Sequence, residues 1–116
     1  MAAEPSSAWR ARVFVSSTLA EWGRQRSADT IVLLTSEVVT NAVVHAGSEI
    51  ELAVECDGGR VRVEVTDGSG EQPVLRFPQP FDTSGRGLGL VDTLSSAWGV
   101  RYHPHDGKSV WFEMST

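Results

Sequence analysis

The sequence predicts an α+β fold, a two-layer α/β sandwich in which helices cover one face of a mainly antiparallel, mixed sheet. Three observations lead to this prediction: two stretches with apolar residues at helical spacing come first, two pairs of short alternating strands follow, and a further helical stretch lies between the two pairs. With 116 residues, the chain is long enough to bury the core of one domain. Because each apolar face has to be buried, helices grouped on one side of the sheet satisfy all of them.

The composition limits the classes of function. A formal net charge of −5 argues against a general nucleic-acid-binding surface, which is usually basic. The longest apolar runs are far shorter than the roughly 20 residues that a membrane span requires. The first residues have neither the basic start nor the apolar stretch of a secretory signal. We therefore expect a cytoplasmic protein that binds neither nucleic acid directly nor a membrane.

Two helices are predicted in the first half of the chain. Residues 1–5 are expected to form a flexible terminus, and the domain is expected to cover residues 6–116. The first helix follows Pro5 and ends at Gly23, and its inward positions are predicted to be Ala8, Arg12, Val15, Leu19 and Trp22. The second helix covers residues 28–45, with Ser27 as its N-cap. It is apolar almost all round, which predicts that neighbouring elements cover most of its sides.

A β-hairpin is predicted next. Apolar and polar residues alternate on both sides of a turn at residues 57–59, and the apolar ones are Ile50, Leu52, Val54, Cys56, Val61, Val63 and Val65. Glycines and prolines are scattered through residues 67–86, which indicates a functional loop rather than a core element. Two short strands around a turn at residues 104–107 end the chain, and before them a third helix is predicted from the spacing of Leu88, Val91, Leu94 and Trp98.

The second helix carries a line of polar residues. Glu37, Asn41 and His45 follow one another at intervals of four, so they lie on one side of an otherwise apolar helix. Burying them without partners would be costly, so this side faces either solvent or a ligand. For a ligand, the amide oxygen of Asn41 suits Mg²⁺, which takes its other ligands from phosphates and water. A carboxylate one turn earlier could deprotonate an attacking hydroxyl group.

An acidic residue lies where the hairpin ends. Asp67 follows the alternating valines and is followed by Gly68 and Gly70. A carboxylate at this place can accept a hydrogen bond from a flat heterocycle, and the glycines let such a ring approach the backbone. The pair of Asp67 and Gly68 is also a common turn sequence, so both interpretations remain open.

Glycines also open the third helix, at positions 85, 87 and 89. Free backbone N–H groups at a helix start can bind phosphate, and the helix dipole favours the negative charge. A close contact between helix and sheet would require glycines as well. A dinucleotide-binding turn does not fit, because a loop with several prolines precedes these glycines, whereas that motif directly follows a strand.

Together the three features resemble the motifs of the GHKL (Bergerat-fold) ATPases, and they occur in the same order. Residues 37–46 look like the N-box, residues 67–70 like the first glycine box and residues 85–90 like the second. The helix that begins near Leu88 and the ending at residues 107–113 are similar to those of small anti-sigma-factor serine/threonine kinases. The resemblance implies the histidine-kinase-like ATPase fold, with ATP between the second and third helices under a lid of about residues 70–85.

The resemblance also implies roles for individual residues. Glu37 would be the catalytic base, Asn41 would hold Mg²⁺, Asp67 would bind the adenine amino group, and Gly87 and Gly89 would contact the phosphates. The remaining positions expected to contact the nucleotide are His45, Gly68, Gly70, Gly85, Arg86, Leu88 and Ser109.

The sequence departs from the family pattern at several positions. Ser69 and Glu71 stand where the first glycine box normally has glycines, and Val44 stands where related ATPases often carry a basic residue. Lys108 replaces a threonine that usually helps to bind the base, which leaves Ser109 as the nearest hydroxyl group.

The resemblance implies protein partners too. Such kinases, usually homodimers, capture a sigma factor when nucleotide is bound, and an anti-anti-sigma protein with a STAS domain competes until it is phosphorylated on serine. Two hypotheses follow for this chain: a serine kinase that uses ATP and Mg²⁺, or a binding module that captures a partner without phosphoryl transfer.

Overall fold

The computed structural model describes residues 1–46, 48–68, 87–104 and 107–116, without the side chains of residues 45 and 46. The elements are α1 (Ser6–Glu21), α2 (Ala28–Ala46), β1 (Glu51–Asp57), β2 (Arg60–Asp67), α3 (Gly87–Leu94), β3 (Ala97–His103) and β4 (Gly107–Ser115). The strands form one sheet in the order β1-β2-β4-β3. The α+β prediction is confirmed. Every pairing in the described part of the chain is antiparallel, which agrees with the predicted mainly antiparallel sheet.

The sheet has one apolar and one polar face. Alternate residues of β2 are buried, and in the register with β4, Val63 lies opposite Phe112 and Val65 opposite Val110. These side chains join the helices in a single core. The intervening residues of β2 point to the other face, and they are Arg60, Arg62, Glu64 and Thr66. The predicted hairpin is confirmed, with Gly58 in the turn at a φ of 63°.

Helix α1 packs through a stripe that overlaps the predicted one at Val15 and Leu19. Its buried residues are Ser7, Ala11, Val15 and Leu19, one on each turn. The prediction placed Arg12 and Trp22 inward, but Arg12 is exposed and Trp22 is 42% exposed. Two of the four inward side chains, Ser7 and Ala11, are small, which suits the close packing of α1 on α2. Gly23 ends the helix as predicted, at a φ of 69°.

Residues 1–5, expected to be flexible, are tied to the start of β1. The Met1 amino group donates a hydrogen bond to the Ile50 carbonyl oxygen at 2.6 Å. In return the Ile50 N–H donates to the Met1 carbonyl oxygen at 2.7 Å. This reciprocal pair extends the sheet beyond the edge strand β1 by one residue.

Helix α2 is covered on most sides and is exposed along a narrow strip. Leu34, Val38 and Val39 lie in the core, whereas Leu33 is 38% and Val44 68% exposed. The expectation that neighbours cover most of this helix is confirmed, since only Asp29, Leu33, Thr40 and Val44 are exposed among its described side chains. Ser27, predicted as the N-cap, adopts a φ of 65° instead of the usual extended conformation, and its carbonyl oxygen accepts the Ile31 N–H.

Helix α3 is shorter than predicted. It ends at Leu94, and Trp98, which was assigned to it, lies on β3. The Trp98 indole N–H donates to the Asp92 carboxylate at 2.9 Å and so links the strand back to the helix. None of the helices in the described part of the chain combines the length and the apolar character that a bilayer span needs.

Candidate functional site

The end of β2 lies beside the end of α2. The Gly68 N–H donates a hydrogen bond to the Ser48 hydroxyl oxygen at 2.8 Å, and Ser48 follows closely on the last residue of α2. A Cβ atom at position 68 would lie 3.2 Å from that hydroxyl oxygen, so glycine permits the close approach. Two of the three predicted features, the polar helix and the acidic strand end, thus meet at one edge of the molecule.

Helix α2 is the common neighbour of β2 and α3. Glu37 and Asn41 are partly exposed, and they flank the buried residues Val38 and Ala42. Helix α3 begins at Gly87, and Leu88 and Gly89 are buried. The structure therefore groups the elements that carry the three features around α2. The side chain of His45 lies outside the described residues, and so do Gly70, Gly85, Arg86 and the lid predicted at about residues 70–85.

Asp67 is held by an internal partner. Its carboxylate oxygen Oδ1 lies 3.1 Å from the Nζ atom of Lys108, and the two residues face each other in the register of β2 and β4. The side chains are only 2% and 3% exposed. The carboxylate that the sequence assigns to adenine recognition thus forms a buried ion pair.

The backbone of Gly107 lies directly against the backbone of Asp67, next to this ion pair. It has a φ of 88°, and a Cβ atom on it would lie 2.0 Å from the Asp67 carbonyl oxygen. Any other residue would be strained and would collide with β2. The sequence predicts Gly107 as part of a turn and of the family-like ending, but nothing in the sequence shows that the backbone of residue 67 lies against it.

Ser109 lies on the opposite face of the sheet from the Asp67 carboxylate. Its hydroxyl oxygen is 2.7 Å from Thr66 Oγ1 and 2.7 Å from His103 Nε2. Adjacent residues of a strand point to opposite faces, and residues opposite each other in the register point to the same face. Ser109 therefore shares a face with Thr66, and Lys108 shares the other face with Asp67. The structure therefore does not bring Ser109 together with the predicted base-binding carboxylate.

A comparison with protein-family models matches residues 1–114 to the histidine kinase-like ATPase domain. The chain belongs to this family. The match agrees with the fold and with the expected relationship to the GHKL ATPases, and it implies ATP binding. No curated protein matches the chain. The narrower likeness to anti-sigma-factor kinases stays a prediction.

Cation ligands do not cluster among the described residues of the ATPase domain. Its described residues contain no group of three or more His, Cys, Asp or Glu side chains that could hold a metal ion. A Mg²⁺ ion at Asn41 would take most of its ligands from phosphate oxygens and water, as this ion commonly does. The partly exposed amide of Asn41 fits that limited role.

Helix α1 presents an apolar surface. Trp9 is 60%, Val13 46% and Phe14 49% exposed. A shallow groove of about 420 Å³ lies beside them, lined by Trp9, Arg12, Val13, Ser16, Ser17 and Val32. Exposed aromatic side chains next to an arginine are typical of protein-binding surfaces.

Proposed function

We propose that this histidine kinase-like ATPase domain binds ATP with Mg²⁺ and acts as an anti-sigma factor with serine kinase activity towards an anti-anti-sigma (STAS-domain) protein. It would thereby regulate transcription by partner switching in the cytoplasm, as a homodimer. The observation that carries the proposal is the grouping of α3 and the end of β2 around α2, in a chain whose family match implies ATP binding.

The described residues would act at the phosphate end of the nucleotide and on the attacking hydroxyl group. The Asn41 amide would hold Mg²⁺, which neutralises phosphate charge when bound. The first backbone N–H groups of α3 would donate to phosphate oxygens, since they have no partners within the helix. Glu37, one turn before Asn41, would accept the proton of the serine hydroxyl group of the partner protein.

Calorimetry with ATP and ADP, with and without Mg²⁺, tests nucleotide binding. We expect Mg²⁺-dependent binding of ATP that weakens about tenfold or more in Asn41→Ala, because the metal loses its protein ligand. Thr40→Ala is the matched control, since Thr40 is an exposed neighbour on the same helix. Equal affinities of the two variants would exclude Asn41 as the metal ligand, and a wild-type protein that binds neither nucleotide would refute the proposed function.

A second candidate function is a binding module that captures a protein without phosphoryl transfer. Two observations favour it: Asp67 is already paired with Lys108, and α1 exposes an apolar surface. Incubation of the chain with a purified STAS-domain protein and ATP separates the candidates. Phosphoserine that forms with wild type and is reduced at least about a hundredfold in Glu37→Gln supports the kinase. A stable complex without phosphoserine after long incubation supports the module.

A further inference from the structure

The ion pair of Asp67 and Lys108 is an unusual feature of this site. Lysine is almost never fully buried unless it is paired, and Lys108 is the only lysine of the chain. Its Nζ atom lies 3.1 Å from Asp67 Oδ1, and both side chains are at most 3% exposed. The position of Lys108 opposite Asp67 in the strand register keeps the two groups together.

Lys108 already binds the Asp67 carboxylate, which is the group that would recognise the base. An amino group of a purine can donate to a carboxylate oxygen, but here an ammonium group already donates to one, and a charged donor binds more strongly than a neutral one. Removing one partner of a buried pair leaves an uncompensated charge on the other, so the pair resists separation. The Asp67 carboxylate is therefore a poorer acceptor for a nucleotide than its position alone indicates.

We propose that Lys108 determines the nucleotide specificity of this site by competing with the amino group of adenine for the Asp67 carboxylate. The competition weakens ATP binding and reduces the preference for adenine over purines that lack the amino group. The inference rests on the proposed binding of ATP. It concerns a different quantity, namely how strongly the base contributes to that binding.

The variant Lys108→Thr tests the competition. Affinities are measured by calorimetry for ATP and for purine riboside triphosphate, which lacks the 6-amino group. We expect the wild type to bind the two nucleotides with similar affinity. Lys108→Thr should bind ATP about tenfold more tightly than wild type and should discriminate against the analogue by about tenfold, because the carboxylate then accepts the base amino group.

Arg101→Thr is the matched control. It removes a cation from the neighbouring strand β3, where Arg101 pairs with Glu64 at 3.1 Å on the polar face of the sheet. It should leave both affinities unchanged. If Lys108→Thr binds ATP no more tightly than wild type, or if wild type already discriminates as strongly as the variant, the inference is overturned while the proposed function stands. Absence of nucleotide binding in both proteins would overturn both.

A measurement on the wild-type protein avoids any dependence on the folding of the variant. Selective isotope labelling of lysine gives the side-chain resonances of Lys108 alone, because the chain has no other lysine. Saturating ATP should shift these resonances, and ribose 5-triphosphate, which has no base, should not. Resonances that stay in place with ATP, or that shift equally with ribose 5-triphosphate, would contradict competition at the base.

Discussion

At the scale of single residues, the closure of the sheet beside Asp67 depends on a glycine. Gly107 has a φ of 88°, and its missing side chain leaves room for the Asp67 carbonyl oxygen. The next residue, Lys108, then faces the Asp67 carboxylate. The missing side chain at this one position thus permits the register that produces the buried ion pair.

Gly107→Ala should be strongly destabilising. The added Cβ atom would lie 2.0 Å from the Asp67 carbonyl oxygen, so β2 and β4 would have to separate locally. We expect a loss of about 3 kcal/mol or more in the free energy of unfolding, measured by urea denaturation. Gly58→Ala is the control: it also has a positive φ, of 63°, but no atom within 4 Å of the added Cβ. Its loss should be only about 1 to 2 kcal/mol, and equal losses would show that the backbone can relax at position 107.

At the scale of elements, side chains on the polar face of the sheet connect the strands. Arg60 and Arg62 on β2 each lie 3.0 Å from a carboxylate oxygen of Glu113 on β4. The Arg62 guanidinium also lies 4.3 Å from the centre of the Trp111 ring. Gly99 on β3 leaves room for that ring, because a Cβ atom there would lie 2.8 Å from it. One cluster therefore spans three strands.

The carboxylate of Glu113 gives this cluster a pH dependence. Hydrogen bonds from Arg60 and Arg62 lower the pKa of Glu113 in the folded protein. The interaction of ionised Glu113 with the two arginines therefore stabilises the fold fully above the pKa of an unfolded glutamate, about 4.3. This stabilisation is lost as the pH falls through the lower pKa that Glu113 has in the folded protein. In thermal unfolding between pH 7 and pH 3, Glu113→Gln should be less stable than wild type at pH 7, and the difference should shrink below about pH 4.

The size of this effect should be modest, because the Glu113 side chain is 22% exposed and solvent screens the charges. Added salt should reduce it further. Glu21→Gln, at an exposed position on α1, is the control and should follow the wild-type curve. A constant difference between Glu113→Gln and wild type at every pH would assign the loss to packing instead of charge.

The elements were predictable from the sequence to different degrees. The hairpin β1–β2 follows from strict alternation and a turn with two glycines, which leave few alternatives. The period of an apolar pattern does not show where a helix ends, so Trp98 was assigned to α3 although the chain already enters β3 there. The buried stripe of α1 was predicted at Val15 and Leu19 but not at Ser7 and Ala11, because these two residues are small and carry little hydrophobic signal.

The candidate site was predictable as a set of motifs but not as contacts. The order of the polar helix, the acidic strand end and the glycine-opened helix indicated their common site, and the grouping around α2 agrees with it. The pairing of Asp67 with Lys108 depends on the register of two strands that are distant in sequence. A shift of one residue in that register would place Ser109, instead of Lys108, on the face of the sheet that carries the Asp67 carboxylate.

At the scale of the whole molecule, the described helices cover one face of the sheet. Two different surfaces stay exposed to solvent. One is the charged face of the sheet, and the other is the exposed part of α1 with Trp9 and Phe14. Exposed apolar surface of this kind favours association. The expected homodimer would bury one of these surfaces in its interface.

Light scattering coupled to size-exclusion chromatography tests the homodimer. We expect a mass twice that of the 12.6 kDa chain, and a decrease towards the monomer on dilution if the dimer is weak. Trp9→Ser and Arg101→Ser change different surfaces. If one of these surfaces forms the interface, the two variants should differ in measured mass. A monomer mass at every concentration would contradict the dimer.

The antiparallel ladder between β2 and β4 has a consequence for the connectivity of the chain. Every residue of β2 pairs with a residue of β4, although the predicted lid and α3 separate these strands in the sequence. A chain cut within residues 70–85 would therefore keep its two fragments hydrogen-bonded to each other through the middle of the sheet. Residues 1–69 and 86–116, produced as separate polypeptides, should consequently reassemble into one folded particle without a covalent link.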